Sequence, residues 1–123
     1  MENTHSSKSK PFLITIPISE QRVKDLLCCG MEGGINYWGG ITGYVGESEV
    51  EFKHLDYPFI DGHGVLLAVE EEPKSYLLDR QALERGVALL PTHIAARVAE
   101  EQEDADDGDT FIQLCIFGEV VYG

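Results

Sequence analysis

Between residues 19 and 32 the apolar positions Val23, Leu26, Leu27, Gly30 and Met31 recur every three to four residues, the spacing of one helix face. Ser19 precedes them as a natural N-cap, Glu20 and Gln21 fill the first turn, and Gly33-Gly34 offers a left-handed stop. The pattern predicts a helix over about 19–32. Ahead of it, Phe12 to Ile18 is apolar and β-branched, with Pro17 suited to the end of a strand or to a sheet edge. Further on the period changes to two. Ile41 to Val45 reads as a strand, and in Glu47 to Lys53 the apolar Val50 and Phe52 alternate with charges. Gly62-His63-Gly64 reads as a turn and Val65 to Val69 as a buried strand closed by Glu70-Glu71-Glu72-Pro73. Tyr76 to Leu78 leads to Asp79, the cap of a second helix carrying Ala82, Leu83, Val87 and Leu90, which Pro91 stops. Thr92 is read as the cap of a third, with Ile94, Ala95, Val98 and Ala99 along one edge. The last segment is open to two readings. Asp109 could cap a helix with Phe111, Leu114 and Cys115 inward, or Thr110 to Phe117 could be a strand; the capping aspartate favours the helix. The fold class expected is α+β, a small, mainly antiparallel sheet packed against three to four helices. Residues 11–123 form the single domain, behind a flexible tail of residues 1–10.

Composition narrows the functional classes. A chain of 123 residues with 43% hydrophobic and 25% charged residues is ordinary for one globular domain. Its apolar runs are far shorter than the roughly 20 residues that span a bilayer, and MENTHSSKSKP lacks the apolar core of a signal peptide, so no membrane partner and a cytoplasmic location are expected. Cys28, Cys29 and Cys115 form no C-x-x-C pair and read as reduced core thiols. The formal net charge of −13 is the extreme value, and it repels phosphate backbones, so direct nucleic-acid binding is disfavoured. Seven carboxylates fall within ten residues: Glu100, Glu101, Glu103, Asp104, Asp106, Asp107 and Asp109. An EF-hand register fails there: starting at Asp104, the turn glycine would be Asp109 and the final glutamate Cys115. The run reads either as a solvated acidic linker or as an acidic face that imitates a nucleic-acid backbone and occupies a basic protein groove.

The other unusual stretch is EGGINYWGG, residues 32–40, with four glycines and the only tryptophan of the chain. At the junction of a helix and a strand, Asn36 offers donors and acceptors, while Tyr37 and Trp38 offer flat faces for a planar ligand. The candidate ligand-binding set is Glu32, Gly33, Gly34, Asn36, Tyr37 and Trp38, completed by Tyr44 and Tyr122 or by a second subunit. Trp38 as a core plug with turn-forming glycines is the competing reading. Motifs of catalysis are sparse. There is no phosphate-binding G-x-x-x-x-G-K-[ST] loop and no dinucleotide fingerprint. His54, Asp56, Asp61 and His63 match no established metal spacing, and Glu32 with Tyr37 or His63 makes a thin acid–base constellation. The chain is therefore read as non-enzymatic, with no cofactor and no metal.

The strings LLCCGMEGGINYW (Leu26 to Trp38) and FIQLCIFGEVVYG (Phe111 to Gly123), joined by LLDRQALERGVALL (Leu77 to Leu90), resemble a group of small uncharacterised proteins encoded by bacteriophages and prophages. The resemblance runs from about Ser19 onward and implies that EGGINYW and FGEVVYG pack near each other; the acidity of residues 100–109 departs from it. It carries no catalytic residue. It implies a counter-defence protein in the cytoplasm of an infected bacterium, by one of two mechanisms. In the first, the EGGINYWGG junction sequesters a small nucleotide-like host immune signal, with a homo-oligomer as one way to complete the pocket. In the second, an acidic, anti-CRISPR-like surface blocks the basic groove of a host defence nuclease.

Overall fold

The computed structural model describes residue 12, residues 15–46 and residues 54–123. The expected tail over 1–10 and the strand over 47–53 lie outside the described residues. Helix α1 spans Glu20–Cys29 and continues as one π-helical turn, Gly30–Gly34. Strand β1 (Gly39–Val45) follows, then a 3₁₀ segment, His54–Phe59, and strands β2 (Gly64–Val69) and β3 (Ser75–Leu78). Helices α2 (Arg80–Leu89), α3 (Thr92–Ala99) and α4 (Ala105–Phe117) complete the chain. The fold is α+β: among the described residues there are four α-helices and a three-stranded antiparallel sheet in the order β1-β2-β3.

Local chemistry accounts for the helix starts. The Ser19 hydroxyl accepts from the Arg22 amide at 3.3 Å, and Asp79 Oδ1 accepts from the Ala82 amide at 2.9 Å. Helix α3 differs from the sequence reading, since Pro91, with φ −59° and ψ 144°, is its N-cap and Thr92 its first helical residue. Helix α4 starts five residues earlier than a cap at Asp109 would place it. Asp104 is the cap, in a reciprocal box with Asp107: the Asp107 amide donates to Asp104 Oδ1 at 2.9 Å and the Asp104 amide to Asp107 Oδ2 at 3.2 Å. Half of the expected acidic linker is therefore helix. Nor does α1 stop on a left-handed glycine; it widens into the π-turn and is released at Ile35, with φ −91°. Residues 15–18 carry no regular structure, so the strand expected before α1 does not form over them.

Helix α4 is the axis of the core. Asp107 to Asp109 and Phe111 to Ile116 are all buried, so this helix has no solvent stripe and packs on α1, the π-turn, α2 and β3. The crossing of α4 over the end of α1 is set by glycines. A Cβ on Gly30 would lie 2.6 Å from the Gly108 carbonyl oxygen, and one on Gly108 would strike the Gly30 backbone. The two backbones touch because neither residue has a side chain. One turn further on, Gly34 is pressed in the same way against the Ala105 carbonyl. On the opposite side Val65, Leu67 and Val69 of β2 face inward with Leu78 of β3, while Leu66 and Ala68 alternate outward. The β1–β2 register slips between Ile41 and Gly43, which turns the far end of β1 outward.

Three weakly acidic groups, one of them in the core, are held neutral. Burial pushes the Cys115 thiol up to about 12, burial and the neighbouring Glu32 push Cys28 up to about 11, and partial burial with the hydrogen bond to Asp109 pushes Tyr37 up to about 12. Each group thus favours its protonated form in the folded state, so its contribution is intact below the ordinary value and lost as pH rises through the raised one. Stability measured by urea titration is expected to be flat up to about pH 9 and to fall steadily toward about pH 12. Cys115→Ala should lessen that decline.

Candidate functional site

The residues of EGGINYWGG do not form one open surface. Glu32, Gly33 and Asn36 are exposed, Gly34 and Ile35 are buried, Tyr37 is 53% exposed and Trp38 only 2%. The Trp38 indole N–H donates to Asp109 Oδ1 at 2.7 Å, and the Tyr37 hydroxyl donates to Asp109 Oδ2 at 2.7 Å. Asp109 Oδ1 also accepts from Gln113 Nε2 at 2.9 Å. A buried carboxylate, 8% exposed, thereby ties the helix–strand junction to α4, with each donor partnered as burial demands. Tyr37 points its hydroxyl at this carboxylate rather than at Glu32, which leaves no acid–base pair between those two.

The rings are likewise in use. Tyr122 lies parallel to Trp38, centroids 5.4 Å apart and planes 6° apart, and Phe117 tilts against both at 5.6 and 5.9 Å. EGGINYW and FGEVVYG therefore meet through a Trp38–Tyr122 stack. The aromatic face offered to a ligand in the sequence reading is occupied by the protein's own chain. Two of the four glycines serve the same end: Gly34 abuts α4, and a Cβ on Gly39 would lie 2.6 Å from the Ala68 carbonyl oxygen. Tyr44 is not part of this cluster. It sits six residues along β1 from Trp38, about 20 Å on in an extended strand, and packs on Tyr57 at 5.2 Å. Gly30, Gln113, Phe117 and Glu70 to Glu72 are not among the candidate site residues that the sequence offers. The signal for Gln113 was present as one amide inside the apolar run Phe111 to Phe117, where a buried polar group needs partners.

Two cavities flank the Tyr122 ring. One of about 120 Å³ is lined by Tyr37, Trp38, Glu70, Glu71 and Tyr122; one of about 350 Å³ is bounded by Glu72, Lys74, Tyr76, Phe117 and Val121 with Tyr122. Carboxylates sit at both. Burial and the charges of Glu72 and Glu71 push the Tyr122 hydroxyl up from its ordinary value, and the charge of Asp106 acts in the same direction on Tyr37. A mostly apolar cleft of about 320 Å³ lies elsewhere, between Ile18, Val23, Phe59, Leu83 and Val87, with the Arg80–Glu20 ion pair at 3.0 Å on its rim.

The acidic run is divided by the fold. Asp107 is 2% exposed and is gripped by the Arg97 guanidinium, with Nε 3.0 Å from Oδ2 and Nη2 on Oδ1. With Asp109, it is withdrawn from the surface. Glu101 is exposed and pairs with Arg22 at 3.0 Å, and it holds a left-handed backbone, φ 60°, at the α3–α4 turn. Glu103 is half-buried, one oxygen enclosed without a hydrogen-bond partner and its charge helping to push the Cys29 thiol up. Glu100, Asp104 and Asp106 are exposed. Near the 3₁₀ segment, the His63 ring stands edge-on to Tyr57 at 5.6 Å with Nδ1 2.9 Å from the Asp61 carbonyl oxygen, while the His54 side chain lies outside what is described. Among the described residues no three His, Cys, Asp or Glu side chains are arranged to hold a metal ion, and no helix is long and apolar enough to cross a membrane.

No protein-family model matches the chain, and no curated protein or solved structure matches it.

Proposed function

We propose that this chain is a non-catalytic binding protein that presents an acidic face to a basic groove of another protein. The observation that carries the reading is the distribution of ion pairs. Among the described cations, Arg22 pairs with Asp25 and Glu101, Lys24 with Asp56, Arg80 with Glu20 and Glu84, and Arg97 with Asp107. Arg85 donates to the Cys115 carbonyl and Lys74 lies over the Tyr76 ring. None of these ion pairs reaches Glu32, Glu70, Glu71, Glu100 or Asp106. The charge of Asp106 acts on Tyr37, and Tyr37 shares a cavity with Glu70 and Glu71, so these three carboxylates lie near one half-exposed tyrosine. Charges of one sign that the fold leaves uncompensated speed and select association with a basic partner.

The same geometry gives little support to a phosphate-bearing ligand at EGGINYWGG, because carboxylates line the small cavity there and the Trp38 face is taken. With the resemblance to phage proteins as setting, the basic groove is the nucleic-acid channel of a host defence nuclease. The test is displacement of labelled DNA from such a nuclease, followed by anisotropy. Displacement is expected at low salt, to weaken sharply between about 10 and about 150 mM salt, and to be lost in Glu32→Gln/Glu100→Gln/Asp106→Asn. Displacement indifferent to salt and to the triple substitution would reject the acidic face.

A further inference from the structure

The segment after α4 is held to the fold by few contacts. Gly118, with φ +76° and open space where a side chain would stand, turns the chain out of the helix. Val120 and Val121 are each 54% exposed, and among the described residues no backbone–backbone hydrogen bond joins residues 119–123 to the rest of the fold. The grip is a single carboxamide. Gln113 Oε1 accepts from the Val121 and Tyr122 amides at 2.7 and 2.8 Å, and its Nε2 donates to the Tyr122 carbonyl at 3.0 Å. Beyond that, Tyr122 is seated by its stack on Trp38 and its contact with Phe117.

Tyr122 also lines both of the cavities described above. We propose that residues 118–123 are a removable strap and that lifting Tyr122 joins those cavities into one groove, which receives an arginine side chain of a basic partner. The floor of that groove is the Trp38 and Phe117 rings and its rim is Glu70, Glu71 and Glu72. A planar guanidinium takes the place of the parallel tyrosine ring, stacked on indole and paired with carboxylate, an arrangement that suits arginine better than lysine. The groove already holds one cation on an aromatic face, with Lys74 Nζ 4.7 Å from the Tyr76 ring centroid. The inference rests on the acidic-face reading and adds to it the residue that the partner inserts.

The strap is tested with Tyr122→Ala and Gln113→Leu, using emission of the single tryptophan, its quenching by acrylamide, and titration with an oligoarginine peptide against oligoserine. Both variants are expected to expose Trp38 to the quencher and to bind oligoarginine at least about fivefold tighter than the wild type, since the closed state no longer competes. Tyr122 is half-buried at the surface, so its alanine variant decides the matter if Gln113→Leu fails to fold. A folded Tyr122→Ala with wild-type quenching and wild-type oligoarginine affinity overturns the strap, whatever the triple acid-to-amide variant does. If that triple variant still displaces DNA while Tyr122→Ala binds oligoarginine more tightly, the groove stands and the broader acidic face falls.

Discussion

Gly108→Ala is expected to destabilise the fold by about 3 kcal/mol, although alanine is the better helix former by about 1 kcal/mol. The added methyl would strike the amide nitrogen and Cα of Gly30 and stand 2.8 Å from the Leu26 carbonyl oxygen. All three are backbone atoms of another helix, so no rotamer change relieves the clash. The only escape is to part α1 from α4, which loosens Leu26, Leu27, Phe111 and Ile112 together. Against a total stability of about 5–15 kcal/mol for an ordinary domain, such a loss is large. Urea denaturation should show the midpoint falling with little change in slope. Gly40→Ala, where nothing lies within 4 Å, is the control and should stay within about 0.5 kcal/mol. A Gly108→Ala protein as stable as the wild type would mean that the helices do not touch at this crossing.

Trp38→Ala should cost about 3–5 kcal/mol. The indole is buried among Phe117, Tyr122 and the sheet, and its removal leaves a cavity and strips one donor from Asp109. A variant meant to empty a ligand pocket while sparing the fold therefore attacks the fold first. Trp38→Phe separates the two parts: it keeps a ring but orphans part of the buried carboxylate, for an expected loss of about 1–3 kcal/mol. Tyr37→Phe removes the third donor at a half-exposed position, where water can replace it, and should cost under about 1 kcal/mol. Thermal melts of the three variants should rank Trp38→Ala lowest and Tyr37→Phe nearest the wild type. An inverted order would place the junction outside the core.

What could be read from sequence was periodic or local. The face of Val23, Leu26 and Leu27, the caps at Ser19 and Asp79 and the strand Val65 to Val69 each follow from neighbours along the chain, and the structure has them. The errors came where tertiary contacts decide. Asp109 carries the chemistry of a cap, yet its carboxylate is used by Trp38 and Tyr37, about 70 residues away, and the box of Asp104 with Asp107 starts the helix instead. Asp107 counts as one more surface charge until Arg97 closes on it. Gly34 and Gly39 read as turn or ligand residues because a pattern along one chain cannot show the α4 and β2 backbones lying against them. Tyr44 and Tyr122 were equal candidates by composition. Only the topology parts them, sending one to the far end of β1 and bringing the other onto Trp38.

The position of α4 at the centre of the molecule also has a consequence for synthesis. Every helix and strand that α4 packs against, from α1 to α2, precedes it in the chain. At about 5–20 residues per second, roughly 5–15 seconds separate the emergence of the α1 face from that of the helix that covers it. During that interval Leu26, Leu27 and the inner face of β2 have no partner. The nascent chain is therefore a client for chaperones that hold exposed apolar segments, and a ribosome stalled shortly before residue 105 would present a protein with its surface made and its centre missing.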